Sequence, residues 1–151
     1  MPIYQELKWL SPSTPYDTKG LMIAAINDPD PVVFLEPKKI YRSFKQQIPT
    51  EIYEVPIGKA NILVEGNDLT LVTYGAQVHE CIEALKKLVA TNSNISVELI
   101  DLRTIKPLDI ETIINSVRKT GRLLVVHEIC KIIFSFCWNY CTSKWKSFWI
   151  P

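Results

Sequence analysis

The sequence predicts an α/β protein in which a parallel sheet is connected by crossover helices. Two observations support this class: short apolar runs alternate with amphipathic segments, and those segments have the length of crossover helices, roughly 10–15 residues. A third is the composition, 47% hydrophobic and 22% charged, which is typical of a globular domain. The 151 residues are enough for one domain, or for one domain and part of another.

The first third of the chain contains one clear helix and one clear strand. A helix is predicted from Tyr16 to Asn27, with Asp17 near its start and the turn DPDP at its end. The apolar run at 32–36 lies between prolines and predicts a short buried strand. Scattered prolines and weak periodicity follow, so we expect a linker between two domains at 49–56.

The second half is more regular and predicts three strands separated by two helices. In chain order these are strand 69–75, helix 76–92, strand 95–101, helix 109–121 and strand 122–128. Each helix has one apolar face, and the second one has Asp109 at its N-cap and ends at Gly121. Strands and helices in this order place parallel strands side by side.

Charge and hydropathy argue against several kinds of partner. The net charge of +1 gives no electrostatic reason to expect nucleic acid or a membrane surface. No stretch approaches the roughly 18 uncharged apolar residues of a membrane span. The opening MPIYQELKWL lacks the basic and apolar regions of a signal peptide. Four cysteines without metal-ligand pairing weakly favour a reducing compartment.

Few residues are candidates for a catalytic or ligand-binding role. His127 and Glu128 follow the last predicted strand, at the edge where open α/β sheets often place functional groups. No second acid or nucleophile lies near them, so we favour a polar pair at a domain or subunit contact. His79 is interpreted as a surface or cap residue of its helix. The single Gly75 does not make a phosphate loop, which needs a run of free backbone N–H groups.

Two further groups could bind metals. Cys130, Cys137 and Cys141 have six and three residues between them, whereas zinc sites usually show two close pairs. Asp28 and Asp30 are hard oxygen ligands in a proline-containing turn, but alone they are interpreted as a helix stop. The residues by themselves therefore predict an α/β domain without visible catalytic chemistry.

Three stretches together resemble one protein family. They contain PSTPYDTKGLM, VPIGKANILVEG and VELIDLRTIKPLD, and with their extensions they cover about 12–128. They resemble the beta subunit of thiamine-diphosphate-dependent 2-oxoacid dehydrogenases, the decarboxylating first components of the pyruvate and branched-chain complexes. The segments FLEPKKIYR and IDLRTIKPLD favour the branched-chain or archaeal-type branch.

The resemblance implies a fold and an activity. The fold is an incomplete transketolase C-terminal-type parallel sheet over 57–128, preceded in 12–48 by the last helix and strand of a pyrimidine-binding domain. The parent enzyme would decarboxylate a 2-oxo acid on thiamine diphosphate and Mg²⁺, and would transfer the acyl group to a lipoyl domain. The family's catalytic glutamate and histidine would lie before Pro12. We therefore expect a fragment that is inactive alone, without catalytic or cofactor-binding residues of its own.

The resemblance also implies a partial potassium site and a set of partners. The potassium ligands would be the carbonyl of Ala25 and the carboxylates of Asp28 and Asp30. The partners would be an alpha subunit and a second beta subunit in a heterotetramer, together with a lipoyl acyltransferase core. The location would be the cytoplasm of a prokaryote, or the mitochondrial matrix of a eukaryote. A non-enzymatic module that keeps only the subunit interface is the alternative function.

Both ends of the chain depart from the family pattern. Residues 129–151 hold three of the four Trp and three of the four Cys, without any Gly or acidic residue, and residues 1–11 hold the remaining Trp. Synonymous codons for either end, read in another frame, permit family-like sequences, so we favour frame-shifted translation as the origin of both ends. The alternatives are a genuine partner-binding helix in the tail and alternative splicing.

Overall fold

The computed structural model describes residues 7–91 and 94–127 of the chain. In chain order, the elements in these ranges are β1 (Lys8–Leu10), α1 (Pro15–Asn27), β2 (Val32–Phe34), β3 (Asn61–Val64), β4 (Leu69–Thr73), α2 (Gln77–Ala90), β5 (Val97–Asp101), β6 (Thr104–Lys106), α3 (Ile110–Thr120) and β7 (Leu123–Val125). A short 3₁₀ turn lies at Lys38–Ile40. The predicted helices and strands are all present, with ends that differ by a few residues.

The larger sheet has the strand order β3–β5–β4–β7. β4 pairs in parallel with both β5 and β7, as the alternation of strands and helices predicts. β3 was not predicted and pairs antiparallel to β5, so the sheet is mixed rather than parallel throughout. An antiparallel strand can be added at the edge because it needs no crossover helix to reach its place.

The larger sheet is covered by one helix on each face. Successive strand residues point to opposite faces, so neighbours in β4 and β5 belong to different apolar clusters. Leu71 and Leu99 pack on the side of α2, whereas Val72 and Ile100 pack against Ile113 of α3. In the described ranges no helix is long and apolar enough to cross a membrane.

The smaller sheet has the order β2–β1–β6 and joins the two halves of the sequence. β1 is parallel to β2 and antiparallel to β6, which follows directly after β5. Leu10 of β1 is completely buried and packs with Leu21 and Val55. Residues 8–10 thus form a strand of the fold, although they lie in the stretch that departs from the family pattern. Residues 129–151 lie outside the described ranges.

The connection between the two sheets lies against α1. The ammonium group of Lys19 contacts the backbone carbonyls of residues 49–51 at distances between 2.5 and 3.2 Å. The rings of Tyr16 and Tyr53 are stacked, with centroids 4.5 Å apart. These contacts fix the course of the predicted linker, and the domain boundary at 49–56 stays a prediction.

Candidate functional site

A buried polar cluster lies at the carboxyl edge of the larger sheet, where β5 ends. The carboxylate of Asp101 accepts hydrogen bonds from the hydroxyl of Ser13 and, at 3.1 Å, from the backbone N–H of Arg103. The guanidinium of Arg103 in turn forms an ion pair with Asp17, with 2.6 Å between Nη2 and Oδ1. We call these four residues the junction cluster, since they connect the start of α1 to the end of β5.

Backbone geometry holds Arg103 in this position. Its φ of 57° lies in the left-handed region, which a residue other than glycine seldom adopts. Its N–H donates to Asp101, and its carbonyl accepts a hydrogen bond of 2.9 Å from the N–H of Ser11. Both backbone groups therefore hold the residue where the chain leaves the larger sheet and turns into the smaller one.

The electrostatics of the junction cluster centre on Asp101. Burial raises the pKa of Asp101 to about 6, while the Ser13 hydroxyl and the Arg103 N–H act in the opposite direction. A carboxyl group with this pKa titrates near the range used by catalytic acids and bases. Ser13, Asp17 and Asp101 are at most 2% exposed, however, so they do not reach a substrate. The arrangement fixes the two halves of the chain relative to each other.

His79 reaches the same edge from α2. Its Nε2 donates to the carbonyl oxygen of Ser13 at 2.7 Å, because a carbonyl can only accept, and its ring lies 4.5 Å from that of Phe44. We interpreted His79 from the sequence as a surface or cap residue. In the structure it is half-buried and bonded to a residue 66 positions earlier, so it contributes to the same junction.

A small pocket opens beside the junction cluster. It has a volume of about 190 Å³, below the roughly 300–1,000 Å³ of common ligand sites. Its lining consists of Pro12, Ser13, Pro15, Thr18, Glu36, Pro37, Ile40, Tyr41 and Phe44. The single carboxylate, Glu36, accepts a hydrogen bond from the hydroxyl of Tyr41. The lining offers no pairing of nucleophile and base, so it does not resemble an active site.

The predicted potassium ligands lie at the end of α1, where they meet a lysine. The ammonium of Lys8 lies 2.7 Å from each carboxylate oxygen of Asp28 and 3.1 Å from Oδ2 of Asp30. The hydrogen bond from Lys8 lowers the pKa of Asp28, and the N–H of Asp30 adds to this effect. Ala25 lies in the last turn of α1 and packs against the cluster around Leu10.

The other residues considered from the sequence do not form a site. His127 follows β7 and is half-buried, while Glu128, Cys130, Cys137 and Cys141 lie outside the described residues. Within 7–91 and 94–127, no group of three or more His, Cys, Asp or Glu residues could hold a metal ion.

A known protein family matches the part of the sequence that forms the larger sheet. The family model described as "Transketolase, C-terminal domain" matches residues 58–134, a range that contains every strand from β3 to β7. The chain belongs to the transketolase C-terminal domain family. The transketolase C-terminal-type α/β fold predicted from the sequence is confirmed.

Curated relatives are beta subunits of pyruvate dehydrogenase. The chain is 60% identical over 125 residues to "Pyruvate dehydrogenase E1 component subunit beta" of Acholeplasma laidlawii, and 56% identical to that of Bacillus subtilis. Each alignment covers 83% of this chain and 38% of the relative. The chain thus spans about two fifths of the length of these relatives.

Solved structures of transketolases share the fold. A split-gene transketolase, described as an inactive beta4 tetramer, superimposes with a TM-score of 0.64 at 24% identity, over 81% of this chain and 38% of its own. Transketolase from Leishmania mexicana superimposes with a TM-score of 0.56 at 19% identity, over 88% of this chain and 19% of its own. At these identities the similarity shows the fold alone.

Sequence reasoning did not identify the junction cluster as a site. One signal was present, because Asp101 ends a parallel strand at the same edge for which His127 was considered. Ser13 offered no such signal, since it lies 88 positions from Asp101 and no local pattern links the two. Clusters of this kind appear only once the strand order is known.

Proposed function

We propose that this chain is part of the beta subunit of a thiamine-diphosphate-dependent 2-oxoacid dehydrogenase and contributes structural support and subunit contacts rather than catalytic groups. The observation that carries the proposal is the identity of 60% over 125 residues with a pyruvate dehydrogenase beta subunit. The partners are an alpha subunit and a second beta subunit in a heterotetramer, with a lipoyl acyltransferase core. A cytoplasmic location is part of the proposal, since the relatives named above are bacterial.

The described residues do not fit the cofactor of the parent enzyme. Bound thiamine diphosphate supplies carbanion chemistry, and Mg²⁺ requires several oxygen ligands around it. The described residues offer no group of three or more His, Cys, Asp or Glu side chains for a metal, and the two carboxylates of the junction cluster, Asp17 and Asp101, are buried. In this proposal, as the family resemblance implies, the cofactor and Mg²⁺ bind parts of the parent enzyme outside this chain.

The junction cluster has a definite role in this proposal. The Asp101–Ser13 hydrogen bond and the Arg103–Asp17 ion pair join the pyrimidine-domain piece to the transketolase C-terminal domain. Buried charge pairs are sensitive to geometry, so they favour one relative placement of the two pieces. Catalysis requires such placement, because small displacements of positioning elements reduce rates strongly.

The substrate is a 2-oxo acid in this proposal. The segments FLEPKKIYR and IDLRTIKPLD support a branched-chain acid, whereas the relatives named above are pyruvate dehydrogenase subunits. A chimera tests whether this region supports turnover of a 2-oxo acid: the part of the Bacillus subtilis beta subunit that aligns with residues 12–127 is replaced by these residues of this chain. Turnover of pyruvate is then compared with turnover of 3-methyl-2-oxobutanoate after assembly with the alpha subunit.

We expect the chimera to assemble and to decarboxylate a 2-oxo acid, while the chain mixed alone with the alpha subunit gives no turnover. Turnover by the chain alone would contradict the assignment of catalytic groups to other parts of the enzyme. A chimera that assembles at the wild-type level and decarboxylates neither acid would favour the non-enzymatic interaction module. Failure of the chimera to assemble would contradict the proposed subunit contacts.

The origin of the two ends is a separate part of the proposal. We propose that residues 1–11 and 129–151 are translated out of frame, because their Trp and Cys content differs from the rest of the chain. The gene's DNA should then encode the family continuation one nucleotide out of register after Glu128. Flanking DNA without family sequence in any frame would instead favour a partner-binding helix in the tail.

A further inference from the structure

The turn after α1 concentrates negative charge. The last carbonyls of a helix have no partner within it, and its C-terminal end carries a partial negative charge. The last turn of α1 contains no basic residue to offset this charge. The carboxylates of Asp28 and Asp30 follow at once, so a cation beside this turn is electrostatically favourable.

The register of the smaller sheet brings Lys8 to this turn. Lys8 pairs with Val32 across the parallel β1–β2 ladder, and its N–H donates to the carbonyl of Pro31 at 3.0 Å. The backbone of Lys8 is therefore fixed beside the segment that carries the two carboxylates. Its side chain is 20% exposed, and those of Asp28 and Asp30 are 12% and 33% exposed.

The ammonium group of Lys8 contacts both carboxylates of this turn. A lysine ammonium has three N–H donors and no acceptor. Nζ of Lys8 donates to both carboxylate oxygens of Asp28 at 2.7 Å and forms an ion pair with Oδ2 of Asp30 at 3.1 Å. A potassium ion would need the same oxygens and would stand beside a like charge, which is unfavourable at such separations. The residues present do not fit a free potassium ion next to Lys8.

We propose that the ammonium group of Lys8 occupies the place of the potassium ion that the family resemblance implies at Ala25, Asp28 and Asp30. The Lys8 side chain on β1 thus supplies the positive charge beside Asp28 and Asp30, and no potassium ion binds there from solution. Attachment removes the translational entropy cost that a dissolved ion would bear on binding.

Replacing Lys8 tests this inference directly. Lys8→Met keeps an unbranched side chain and removes the charge, which leaves the two carboxylates without their cation. The backbone N–H of Asp30, which donates to Asp28 Oδ1 at 2.9 Å, serves as the local reporter in ¹H–¹⁵N NMR spectra. KCl is added in exchange for tetramethylammonium chloride at constant ionic strength, so that general screening does not change. The same spectra show whether each variant is folded.

We expect no K⁺-dependent shift of the Asp30 amide in the wild-type chain and a saturable shift in Lys8→Met. Lys86→Met is the matched control, since Lys86 pairs with Glu83 on the exposed face of α2 and is distant from the turn in sequence; it should behave as the wild type. A saturable K⁺ shift in the wild-type chain would overturn the proposal. A folded Lys8→Met without any K⁺ response would overturn it as well, because the vacated turn would then not be a cation site.

Discussion

Two buried carboxylates of β5 have pKa values shifted in opposite directions by their partners. Glu98 and Asp101 are both almost fully buried, and burial favours the neutral form of each. At Glu98 burial is outweighed by the ammonium of Lys119 together with Ser116 and the N–H of Gly66, so its pKa is lowered. At Asp101 burial outweighs the hydrogen bonds to its carboxylate, and the pKa rises to about 6.

The first prediction concerns the hydrogen bond between Ser13 and Asp101. Removing the hydroxyl in Ser13→Ala withdraws a donor that favours the ionised carboxylate, so the pKa of Asp101 should rise above about 6. Carbon-13 NMR of the Asp101 side-chain carboxyl measures the midpoint directly. Ser43→Ala, at an exposed serine that bonds the Lys39 carbonyl, is the control and should leave the midpoint unchanged. A lower midpoint in Ser13→Ala would contradict the assigned direction.

The second prediction concerns stability and pH. The folded pKa of Asp101, about 6, lies above its ordinary value of 3.8, so the folded state binds this proton more tightly than the unfolded state does. Its contribution to stability is therefore complete below 3.8 and is lost as the pH rises to about 6. The variant Asp101→Asn lacks this dependence.

Urea unfolding of both proteins across that window should show the wild type losing stability relative to the variant, by on the order of 3 kcal/mol in total. A difference in the free energy of unfolding that stays constant with pH would contradict the prediction. Other carboxylates titrate in both proteins, and their effects cancel in the difference.

Among the secondary-structure elements, α3 shows how neighbouring residues determine where a helix begins and ends. Asp109 accepts from the N–H of Thr112 at 3.2 Å, and Gly121 ends the helix with a φ of 70°. Both ends were predicted from the sequence, because caps and left-handed glycines depend on adjacent residues. The carboxyl group of Asp109 also accepts from the N–H of Ala60 at 3.0 Å and so connects α3 to the start of β3.

The third prediction separates backbone strain from steric overlap at two glycines. In Gly121→Ala the new methyl group would meet nothing within 4 Å, so only the strain of a positive φ remains, about 1–2 kcal/mol. In Gly66→Ala the methyl carbon would lie 2.2 Å from the carbonyl carbon of Val97, so a much larger loss is expected. Urea unfolding measures both, and Gly121→Asn should recover part of the first loss. Equal losses at the two sites would contradict this account.

The elements that sequence analysis missed have a common physical cause. β1, β3 and β6 contain at most three consecutive apolar residues, whereas the equally short β2 and β7 lie in apolar runs of four, at 32–35 and 123–126. Their pairing also depends on partners that lie far away in the sequence, as with Trp9 and Lys106. The same limit applies to the candidate site, where Asp101 stood at a predictable strand end and Arg103 follows two residues later, but Ser13 lies 88 positions away and reaches Asp101 only in the folded chain.

Across the whole molecule, the connection between the sheets depends on α1 for support. Lys19 contacts three consecutive carbonyls of the linker and lies 5.0 Å from the ring centroid of Tyr53. Gly20 allows the closest approach, because a Cβ at this position would lie 2.5 Å from Cγ2 of Val55. One face of α1 therefore holds the segment that separates the two predicted domains.

The fourth prediction follows from this contact. In Lys19→Met the carbonyls at 49–51 lose their donor, so the linker should open more often and be cleaved several-fold faster by a nonspecific protease. Mass spectrometry of early products under limiting protease locates the cut. Lys86→Met removes a lysine from an exposed pair and should not change the cleavage rate of the linker. Unchanged linker cleavage in Lys19→Met would show that the aromatic contacts suffice.

The pairing of Trp9 with Lys106 also has a consequence for synthesis of the chain. Translation proceeds at about 5–20 residues per second, so β6 leaves the ribosome roughly 5–20 s after β1. During that interval β1 can pair with β2 on one side, while its other edge has no partner in the nascent chain. Unpaired strand edges are where foreign strands attach. The arrival of β6 therefore ends a period in which the newly made segment around β1 is open to chaperones and to aggregation.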